Sequence, residues 1–330
     1  MSITAGVVVE QWRNLPIFPK DCAGQTIIVT GSNTGIGFEA AKHFVRLGAA
    51  RVIIAVRSLS KGEAAKDAIE KATGRIGAAQ VWHLDLSSND SVRAFAKRAA
   101  AELDRIDVVL ENAGLAVAEF TVAEGTETTI QVNVIGTFLL AFLLLPSLKL
   151  SAKKWGITPH LTIVSSSVHA VAQFVEGQHE DIFAAVSQES TSNMMDRYHV
   201  SKLLEVYATR QLASLLPVSE SGVVINILCP GLCSTELTRN VPWLMWAQIG
   251  LMRLLIGRSS EMGSRTLLHA AVAGPDSHGQ ICADCKIKED KTAPFVKTEE
   301  GQKMQKRVWD QLVVWLEKIE PGCVSTALSA

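Results

Sequence analysis

The sequence predicts an α/β fold in one domain, with a doubly wound parallel sheet flanked by helices. Short runs rich in β-branched residues alternate with amphipathic stretches, which is the pattern of parallel strands joined by crossover helices. The chain has 330 residues, of which 48% are hydrophobic, enough for a full core. It contains no internal repeat, low-complexity tract or linker. One domain with appended ends is therefore the simplest expectation.

Six runs are the expected strands of this sheet. They are TIIVT from Thr26, RVIIAV from Arg51, AQVWHLDL from Ala79, IDVVLE from Ile106, HLTIVSS from His160 and GVVINILC from Gly222. A short final strand is expected near Gln280. Because the runs alternate with helical stretches, they predict a doubly wound arrangement.

Four stretches between these runs carry apolar residues at helical spacing. They are residues 37–47, 91–103, 128–150 and 198–216. Gly48 follows the first of them, as a C-terminal cap should. A C-terminal helix is expected at about 302–319. The predicted domain covers 24–321, with an N-terminal arm at 1–23 and a tail at 322–330.

Two apolar tracts raise the question of a membrane. The run from Val132 to Leu148 is interrupted near its start by Asn133 and Gly136 and near its end by Pro146, and it is short of the roughly 20 residues of a span. It is interpreted as a buried or subunit-contacting helix, so a homo-oligomer stays open. The second tract, VPWLMWAQIGLMRLLIG at 241–257, is interpreted as part of a mobile apolar flap at about 237–257 over a pocket. Peripheral contact with a membrane surface is the alternative.

Charge balance and cysteine content limit the classes of function. Lys and Arg total 32 against 33 Asp and Glu, so no net field favours nucleic acid or an acidic membrane, and a small molecule is the expected partner. The six cysteines are scattered and no signal-peptide pattern is present, which fits reduced thiols in the cytoplasm. Cys282 and Cys285 have CxxC spacing but no second pair, so no metal site is predicted.

A glycine-rich turn links the first predicted strand to the first predicted helix. Glycines let the backbone turn sharply and approach a pyrophosphate, and a helix N-terminus offers unpaired N–H groups to its charge. Strand, turn and helix occur here in the order that a dinucleotide site requires. An ordinary glycine-rich turn is the alternative. The residues of the turn are Gly31, Ser32, Asn33, Thr34, Gly35, Ile36 and Gly37.

The end of the second predicted strand indicates which dinucleotide is bound. An NAD site would place an acidic residue there to bind the ribose hydroxyls. The chain instead has Arg57 and Ser58, with Lys61 close by. A guanidinium, a hydroxyl and an ammonium suit a 2′-phosphate, so NADP(H) is the expected cofactor. The alternative is that Arg57 stacks on the adenine or is solvated.

Tyr198 and Lys202 are the expected proton-transfer pair. Residues four apart on a helix lie on the same face, one turn from each other. A nearby ammonium favours phenolate, so we expect Lys202 to lower the pKa of Tyr198 from about 10 toward the working pH. The fifth predicted strand ends in Ser165, Ser166 and Ser167. A hydroxyl at the carboxyl end of a strand faces the ligand crevice of an open sheet, so one of these serines should bind the substrate oxygen.

The glycine spacing TGxxxGxG resembles that of the short-chain dehydrogenase/reductase family, in the group near retinol dehydrogenases and fungal secondary-metabolism reductases. The resemblance covers about 24–321 and implies a single Rossmann-type sheet, with a catalytic helix that begins at Tyr198. Glu111 stands where the family usually has an Asn. Beyond the glycine turn, the implied cofactor contacts are Arg57, Lys61, Asp85, Leu86, Asn112, Ala113, Gly114, Tyr198, Lys202, Pro230, Gly231 and Thr235.

The resemblance also completes the set of catalytic residues. Aligned on the family's VSSxxH pattern, the catalytic serine is Ser166, with Ser165 as its chief competitor. Asn133 matches a fourth residue, whose role in the family is to hold a water beside the lysine. A buried amide at that position needs a hydrogen-bond partner, which supports a specific role for it. The implied catalytic residues are therefore Asn133, Ser166, Tyr198 and Lys202.

The predicted reaction is hydride transfer between NADP(H) and an apolar alcohol/ketone or aldehyde, by a carbonyl reductase or alcohol dehydrogenase. The segment between Ser166 and Tyr198 and the flap should shape the pocket, and Trp243 and Trp246 favour a sizeable apolar substrate. One alternative is a non-catalytic dinucleotide-binding regulator, which the complete catalytic set argues against. Another is an epimerase or dehydratase on the same fold, which the glycine spacing argues against.

Overall fold

The centre of the protein is an eight-stranded sheet. The structure, a computed structural model, describes residues 9–18, 21–234, 250, 253 and 255–329. Thr235 and most of the flap predicted at 237–257 lie outside these residues. The strands of the main sheet are β1 (Thr26–Thr30), β2 (Arg51–Val56), β3 (Ala79–His83), β4 (Val108–Glu111), β7 (His160–Val164), β8 (Val224–Cys229), β9 (Ile281–Ala283) and β10 (Lys286–Ile287). A separate hairpin joins β5 (Val122–Ala123) to β6 (Thr126–Glu127).

The strand order is β10-β9-β8-β7-β4-β1-β2-β3. All neighbours pair in parallel except β10, which is antiparallel to β9 at the edge. The chain order reverses between β1 and β4, and ligands of such sheets bind at the carboxyl ends of the strands beside that point. The predicted α/β fold is confirmed. All six predicted strands are present, although the run from Ala79 leaves the sheet after His83, and the final strand near Gln280 is β9.

Helices cover both faces of the sheet. They are α1 (Gly35–Arg46), α2 (Leu59–Thr73), α3 (Asn89–Glu102), α4 (Thr128–Trp155), α5 (Ile182–Val186), α6 (Arg197–Leu215), α7 (Val218–Ser221), α8 (Ser260–Ala270), α9 (Glu299–Ile319) and α10 (Cys323–Leu328). One buried cluster lies among α3, α4, α6 and the sheet, and a second lies among α1, α2, α8 and the sheet. Side chains alternate between the two along β1: Ile28 faces the first cluster, and Ile27 and Val29 face the second. Both faces of the strand are thus buried, as expected for a parallel sheet.

The helix α4 contains the apolar run from Val132 to Leu148, which was expected to be buried or to contact another subunit. By length and composition it is the one helix within the described residues that could cross a membrane, but 72% of its most apolar window is buried inside the protein. Phe138, Phe142 and Leu145 are fully buried in the core. Its first turns include a π-helical segment, Gln131–Gly136. Such segments are rare and occur often at functional sites.

The C-terminal end is part of the core. The helix α9 packs against α6, and α10 packs against α4. Cys323, Val324 and Ala327 of α10 are buried. The sequence predicted a tail from residue 322, but a six-residue helix is too short for its apolar spacing to be recognised.

Candidate active site

The glycine turn follows β1 and leads into α1 at the carboxyl edge of the sheet. Gly31 and Gly35 have φ of 65° and 62°, which L side chains rarely adopt. A Cβ on Gly37 would lie 2.4 Å from Asn112 Nδ2, so only glycine fits between the turn and the segment after β4. The cap residue Thr34 makes no side-chain capping bond within the described part of the chain, and the first turn of α1 has no acidic residue. The N–H groups of this turn therefore suit an anion.

The neighbouring helices differ from α1 in this respect. Ser58 caps α2 by accepting from Lys61 N, and Ser88 caps α3 by accepting from Ser91 N. Side-chain capping of this kind satisfies N–H groups that have no partner within the helix. Of these three helices, α1 is the one whose start is left open to a ligand, in agreement with a dinucleotide pyrophosphate.

Thr30, the last residue of β1, orders the segment Asn112-Ala113-Gly114. Its Oγ1 accepts hydrogen bonds from the N–H groups of Asn112 at 2.9 Å and Ala113 at 2.8 Å. The Asn112 Nδ2 donates to Thr30 O at 2.8 Å. The segment is therefore fixed against the glycine turn. The sequence analysis missed Thr30, and its signal was a hydroxyl at the end of an otherwise aliphatic strand.

The cofactor contacts expected after β2 and β3 lie along the same edge. Arg57 and Lys61 are exposed, and no acidic side chain among the described residues pairs with either. Asp85 is half-buried after β3, and its Oδ1 accepts from Ser87 N at 3.0 Å and Ser87 Oγ at 2.6 Å. Leu86 is buried. The structure thus leaves two cations on the surface beside the glycine turn and fixes the loop after β3 by an aspartate turn.

Tyr198, Lys202 and Ser166 meet at the carboxyl ends of the central strands. Tyr198 lies in the first turn of α6, and the Ser166 side chain is close enough to lower the pKa of its hydroxyl. Lys202 lies one turn later, with its Nζ 5.7 Å from the centre of the Tyr198 ring. The ammonium donates to Val164 O at 2.9 Å, which anchors it to the end of β7. The three groups predicted for proton transfer and substrate binding therefore lie together.

The pKa of Tyr198 differs from the expectation. Burial raises it above its ordinary value, and the charge of Lys202 lowers it. The lysine thus acts in the predicted direction, but burial outweighs it in this structure. Removal from water destabilises the phenolate of Tyr198 by more than the ammonium of Lys202 stabilises it at this separation.

Asn133 is fully buried in the π-helical segment and has partners for its whole side chain. Its Oδ1 accepts from Leu115 N at 2.9 Å, and its Nδ2 donates to Leu115 O at 3.0 Å and to Ser201 Oγ at 2.9 Å. A Cβ on Gly114 would lie 3.3 Å from Asn133 Oδ1 and 3.6 Å from Lys202 Nζ. Asn133 therefore joins the segment after β4 to the helix α6, beside the lysine.

The two candidate serines have different surroundings. Ser165 is buried and donates to Lys202 O at 2.9 Å, so its hydroxyl is directed into α6. Ser166 is half-buried beside Tyr198. Its carbonyl is bonded to His169 Nδ1 at 2.7 Å, and His169 Nε2 accepts from Ala293 N at 3.2 Å. These two bonds assign the neutral tautomer with its proton on Nδ1, and burial lowers the pKa of His169. His169 thus supports Ser166 structurally.

An ion cluster that the sequence analysis did not find fixes the start of α6. Arg197 is fully buried beside Tyr198, with its Nη2 3.1 Å from Glu176 Oε1 and its Nε 3.5 Å from Glu127 Oε2. Glu127 also accepts from Thr129 N and Ile130 N at the start of α4. The cluster joins three segments: the start of α6, the start of α4 and the loop after β7.

A second unforeseen contact holds the N-terminal arm over the loop after β8. Arg258 is buried and donates to Glu10 O at 2.6 Å and Pro230 O at 3.3 Å. A Cβ on Gly231 would lie 2.5 Å from Gln11 Oε1. Pro230 and Gly231, which the family resemblance implies as cofactor contacts, are thus covered on one side by the arm. Thr235, expected to act with them, lies outside the described residues.

Two buried acids interact with each other at this end of the sheet, and one of them contacts Lys202. Glu205, one turn after it on α6, has its Oε1 2.7 Å from the lysine Nζ. Glu111, at the end of β4, receives a long hydrogen bond of 3.5 Å from Thr30. The sequence analysis gave neither a role. Among the described residues no group of three His, Cys, Asp or Glu side chains could hold a metal ion.

Comparison with known proteins assigns the family. A family model described as short chain dehydrogenase matches residues 25–175. The short chain dehydrogenase/reductase dmxR8 of Cryptosporiopsis sp. is 44% identical over 320 residues, which cover 95% of this chain and 97% of that protein. The short-chain dehydrogenase anuD of Penicillium roqueforti is 40% identical over 311 residues, covering 93% and 81% of the two chains. This chain belongs to the short-chain dehydrogenase/reductase family and is an oxidoreductase.

Solved structures show the same fold at lower identity. A short-chain type dehydrogenase/reductase from Mycobacterium marinum superposes with a TM-score of 0.61 at 21% identity, covering 83% of this chain and 98% of its own. A short-chain dehydrogenase from Sphingobium yanoikuyae, solved in complex with NADPH, has a TM-score of 0.58 at 21% identity, covering 78% and 87%. A 3-ketoacyl-(acyl-carrier-protein) reductase from Brucella melitensis, complexed with NADH, has a TM-score of 0.59 at 19% identity, covering 80% and 97%.

Proposed function

We propose that this protein is an NADP(H)-dependent carbonyl reductase or alcohol dehydrogenase that acts on an apolar alcohol/carbonyl pair, with Tyr198 as its proton donor and acceptor. The observation that carries this proposal is the meeting of Tyr198, Ser166 and Lys202 at one sheet edge, with Asn133 fixed beside the lysine. A proton donor must lie within hydrogen-bond reach of the oxygen on which charge develops. Tyr198, with Ser166 beside it, is suited to that position.

The residues along the sheet edge fit a dinucleotide. The uncapped first turn of α1 and the close approach at Gly37 form a cradle for a pyrophosphate. Arg57 and Lys61 would hold a 2′-phosphate, because both are cationic and exposed beside the cradle. The Sphingobium yanoikuyae structure contains NADPH and the Brucella melitensis structure NADH, so the fold accepts either. Our preference for NADP(H) therefore depends on these two side chains.

When bound, the dinucleotide supplies or accepts the hydride at the substrate carbon. In reduction, Tyr198 donates its hydroxyl proton to the carbonyl oxygen, and in oxidation it takes the proton from the alcohol. Ser166 hydrogen-bonds the same oxygen and orients it. Lys202 favours the phenolate that reduction leaves on Tyr198, because its ammonium is one turn away. Asn133 keeps Ser201 and the helix α6 in place beside the lysine.

We also propose that the substrate is apolar and that the enzyme acts in fungal secondary metabolism. The residues between Ser166 and Tyr198 form short helices that lie over the sheet edge, and three of their apolar side chains are exposed, Val171, Val175 and Met195. Exposed apolar side chains near a reaction centre suit an apolar ligand. The curated relatives from Cryptosporiopsis sp. and Penicillium roqueforti support a fungal context.

The variant Tyr198→Phe tests the chemistry. We expect NADPH oxidation with a panel of apolar ketones and aldehydes to fall by about a hundred- to ten-thousandfold in kcat/KM, the usual contribution of acid–base catalysis. Binding of NADPH, followed by its fluorescence, should change little. Tyr207→Phe is the matched control, because Tyr207 is buried in the core of the same helix. Unchanged turnover in Tyr198→Phe would refute the mechanism. A wild-type protein that binds NADPH without turning over any substrate would favour the alternative of a non-catalytic dinucleotide-binding regulator.

The variant Arg57→Asp tests the cofactor. We expect the ratio of kcat/KM with NADPH to that with NADH to fall at least about tenfold, since one charge-assisted contact is worth roughly 1.5 kcal/mol or more. Lys71→Asp, which makes the same change of sign at the far end of α2, is the control. A ratio that is equal in the two variants would contradict a role of Arg57 at the 2′-phosphate.

A further inference from the structure

Glu205 is a carboxyl group in direct contact with the proposed catalytic lysine. Its Oε1 lies 2.7 Å from Lys202 Nζ, a shorter contact than the 2.9 Å between Nζ and Val164 O. Both side chains are buried, at 2% and 4% exposure. A lysine in solvent would have its charge screened by water, whereas here a single carboxyl group is its nearest counter-charge. The electrostatic effect of Lys202 therefore depends on the state of Glu205.

The groups around Glu205 come from four elements. Lys202 lies on α6 itself, Glu111 ends β4, Cys229 ends β8, and the Ser165 hydroxyl follows β7. Glu205 Oε2 and Glu111 Oε1 are both buried without a hydrogen-bond partner among the described residues. Burial raises the pKa of Cys229 to about 12, so this thiol is neutral. Besides this thiol and Tyr198, the ionisable groups that interact with Glu205 within the described part of the chain are the ammonium of Lys202 and the carboxyl group of Glu111.

Two buried carboxyl groups at one site do not ionise independently. Burial raises the pKa of Glu205 to about 7, against the opposing effects of Lys202 and Ser165. Burial also raises the pKa of Glu111 well above its ordinary value, and Glu205 adds to this effect. The ionised form is favoured in Glu205, because it has the lysine, and the neutral form in Glu111. The protonation of Glu205 can therefore change within the physiological range of pH.

Tyr198 is the group that responds to this change. Lys202 lowers the pKa of Tyr198, whereas the charge of Glu205 raises it. Cys229 acts in the same direction as Glu205 only as a thiolate, and Arg253 is close enough for Tyr198 to influence the pKa of its guanidinium. Burial is the largest influence on the pKa of Tyr198 and raises it. The lysine and Glu205 act on the same phenol with opposite signs, so their balance adjusts how readily Tyr198 ionises.

We propose that Glu205 is a positioning residue of the active site: it anchors the ammonium of Lys202 and offsets its charge, and so sets how strongly that charge favours the ionised form of Tyr198. When Glu205 is ionised, the pair is close to neutral and Tyr198 holds its proton. When Glu205 is protonated, the ammonium acts on Tyr198 without opposition. Glu111, the second carboxyl group, stays neutral beside the pair. The catalytic part of this inference rests on the proposed function, but the electrostatic part does not.

The chain contains two tyrosines, which makes a direct measurement feasible. Burial raises the pKa of Tyr207 to about 12, and Tyr207→Phe removes it from the titration. In that background, tyrosinate absorbance near 295 nm reports Tyr198 alone, without cofactor or substrate. Rapid pH-jump mixing reads the absorbance before the protein unfolds in alkali. We expect Glu205→Gln to lower the pKa of Tyr198 by about one unit or more, as the loss of a nearby like charge does.

Three further variants separate charge from structure. Glu205→Asp keeps the charge and should keep the pKa of Tyr198 near that of the parent. Lys202→Met should raise it. Glu111→Gln removes the second carboxyl group. This removal stabilises ionised Glu205, so the pKa of Tyr198 should stay the same or rise. An unchanged pKa in Glu205→Gln, or an equal fall in Glu205→Asp, would overturn the proposal.

The pH dependence of kcat/KM provides the catalytic readout. In Glu205→Gln the limb of the profile assigned to Tyr198 should move to lower pH by the shift found in the absorbance titration. A titration shift with no activity in any variant or in the parent would leave the electrostatic inference standing and count against the proposed function. An unshifted titration with an active parent enzyme would count against Glu205 alone.

Discussion

The buried ion cluster at the start of α6 makes a quantitative prediction. Arg197→Met keeps most of the side-chain volume but leaves Glu127 and Glu176, both fully buried, without their cation. Breaking a buried pair by removal of one partner costs about 3–5 kcal/mol. Glu127 keeps its bonds from Thr129 N at 2.9 Å and Ile130 N at 3.1 Å, and Glu176 keeps one from Asn193 N at 3.3 Å, so both carboxylates stay partly stabilised. We therefore expect a loss near the low end of this range, about 3 kcal/mol.

The loss should grow with pH. Burial raises the pKa of Glu127 above its ordinary value even with Arg197 present, and backbone bonds and Arg197 oppose this. Without the arginine the folded-state pKa rises further. A carboxyl group whose folded pKa exceeds its unfolded pKa contributes stability below the unfolded value and loses it as pH rises through the folded value. Arg197→Met should therefore be less destabilised at pH 5 than at pH 8.

Equilibrium unfolding in urea, followed by tryptophan fluorescence, measures the effect. The double variant Arg197→Met/Glu176→Gln should recover part of the loss, because it removes the unpaired charge. Lys303→Met, which breaks an exposed pair with Glu299, should cost less than about 1 kcal/mol. A loss below about 1 kcal/mol in Arg197→Met, or one that is independent of pH, would show that the cluster does not carry the stability assigned to it.

Two further predictions concern the cofactor cradle and the arm. Gly37→Ala places a Cβ 2.4 Å from Asn112 Nδ2, so NADPH binding measured by calorimetry should weaken at least about tenfold. Gly274→Ala is the control, because a Cβ there would have nothing within 4 Å. Equal affinities of the two variants for NADPH would contradict the close fit at Gly37. The hydrogen bond from Lys288 lowers the pKa of Glu10 to about 2, so its contribution to docking of the arm is present above pH 4.5 and lost as pH falls toward 2. Hydrogen exchange of the arm should therefore increase in acid, and at neutral pH in Glu10→Gln; protection unchanged in that variant would refute the role of Glu10.

The sequence was sufficient for those features that depend on local pattern. Strands buried on both faces give continuous β-branched runs, such as that of β2, and the glycine turn gives a spacing that few other structures share. The spacing of Tyr198 and Lys202 on one helix face is also local. The family and the fold predicted from these features are confirmed, whereas the roles of the individual site residues stay predictions.

Features that depend on distant contacts could not be predicted in this way. The ion cluster joins residues 127, 176 and 197, whose proximity no local pattern indicates. The choice between Ser165 and Ser166 depends on which hydroxyl turns toward Tyr198 at the end of β7. Glu205 did carry a signal, because it is the single acid of its helix and stands between the apolar residues Leu204 and Val206. Such an acid indicates a partner, since a buried charge without one is unfavourable.

The π-helical segment Gln131–Gly136 constrains the length of the chain as well as its composition. A π turn holds more residues than an α turn, so deletion of one residue there would let an ordinary α-helix form. The rest of α4 would keep its packing, but the side chain of Asn133 would rotate by about 100° around the helix axis. It would then lose Leu115 and Ser201 together. A one-residue deletion in this helix would thus be as damaging as replacement of Asn133, even though the chain would still contain every residue of the site.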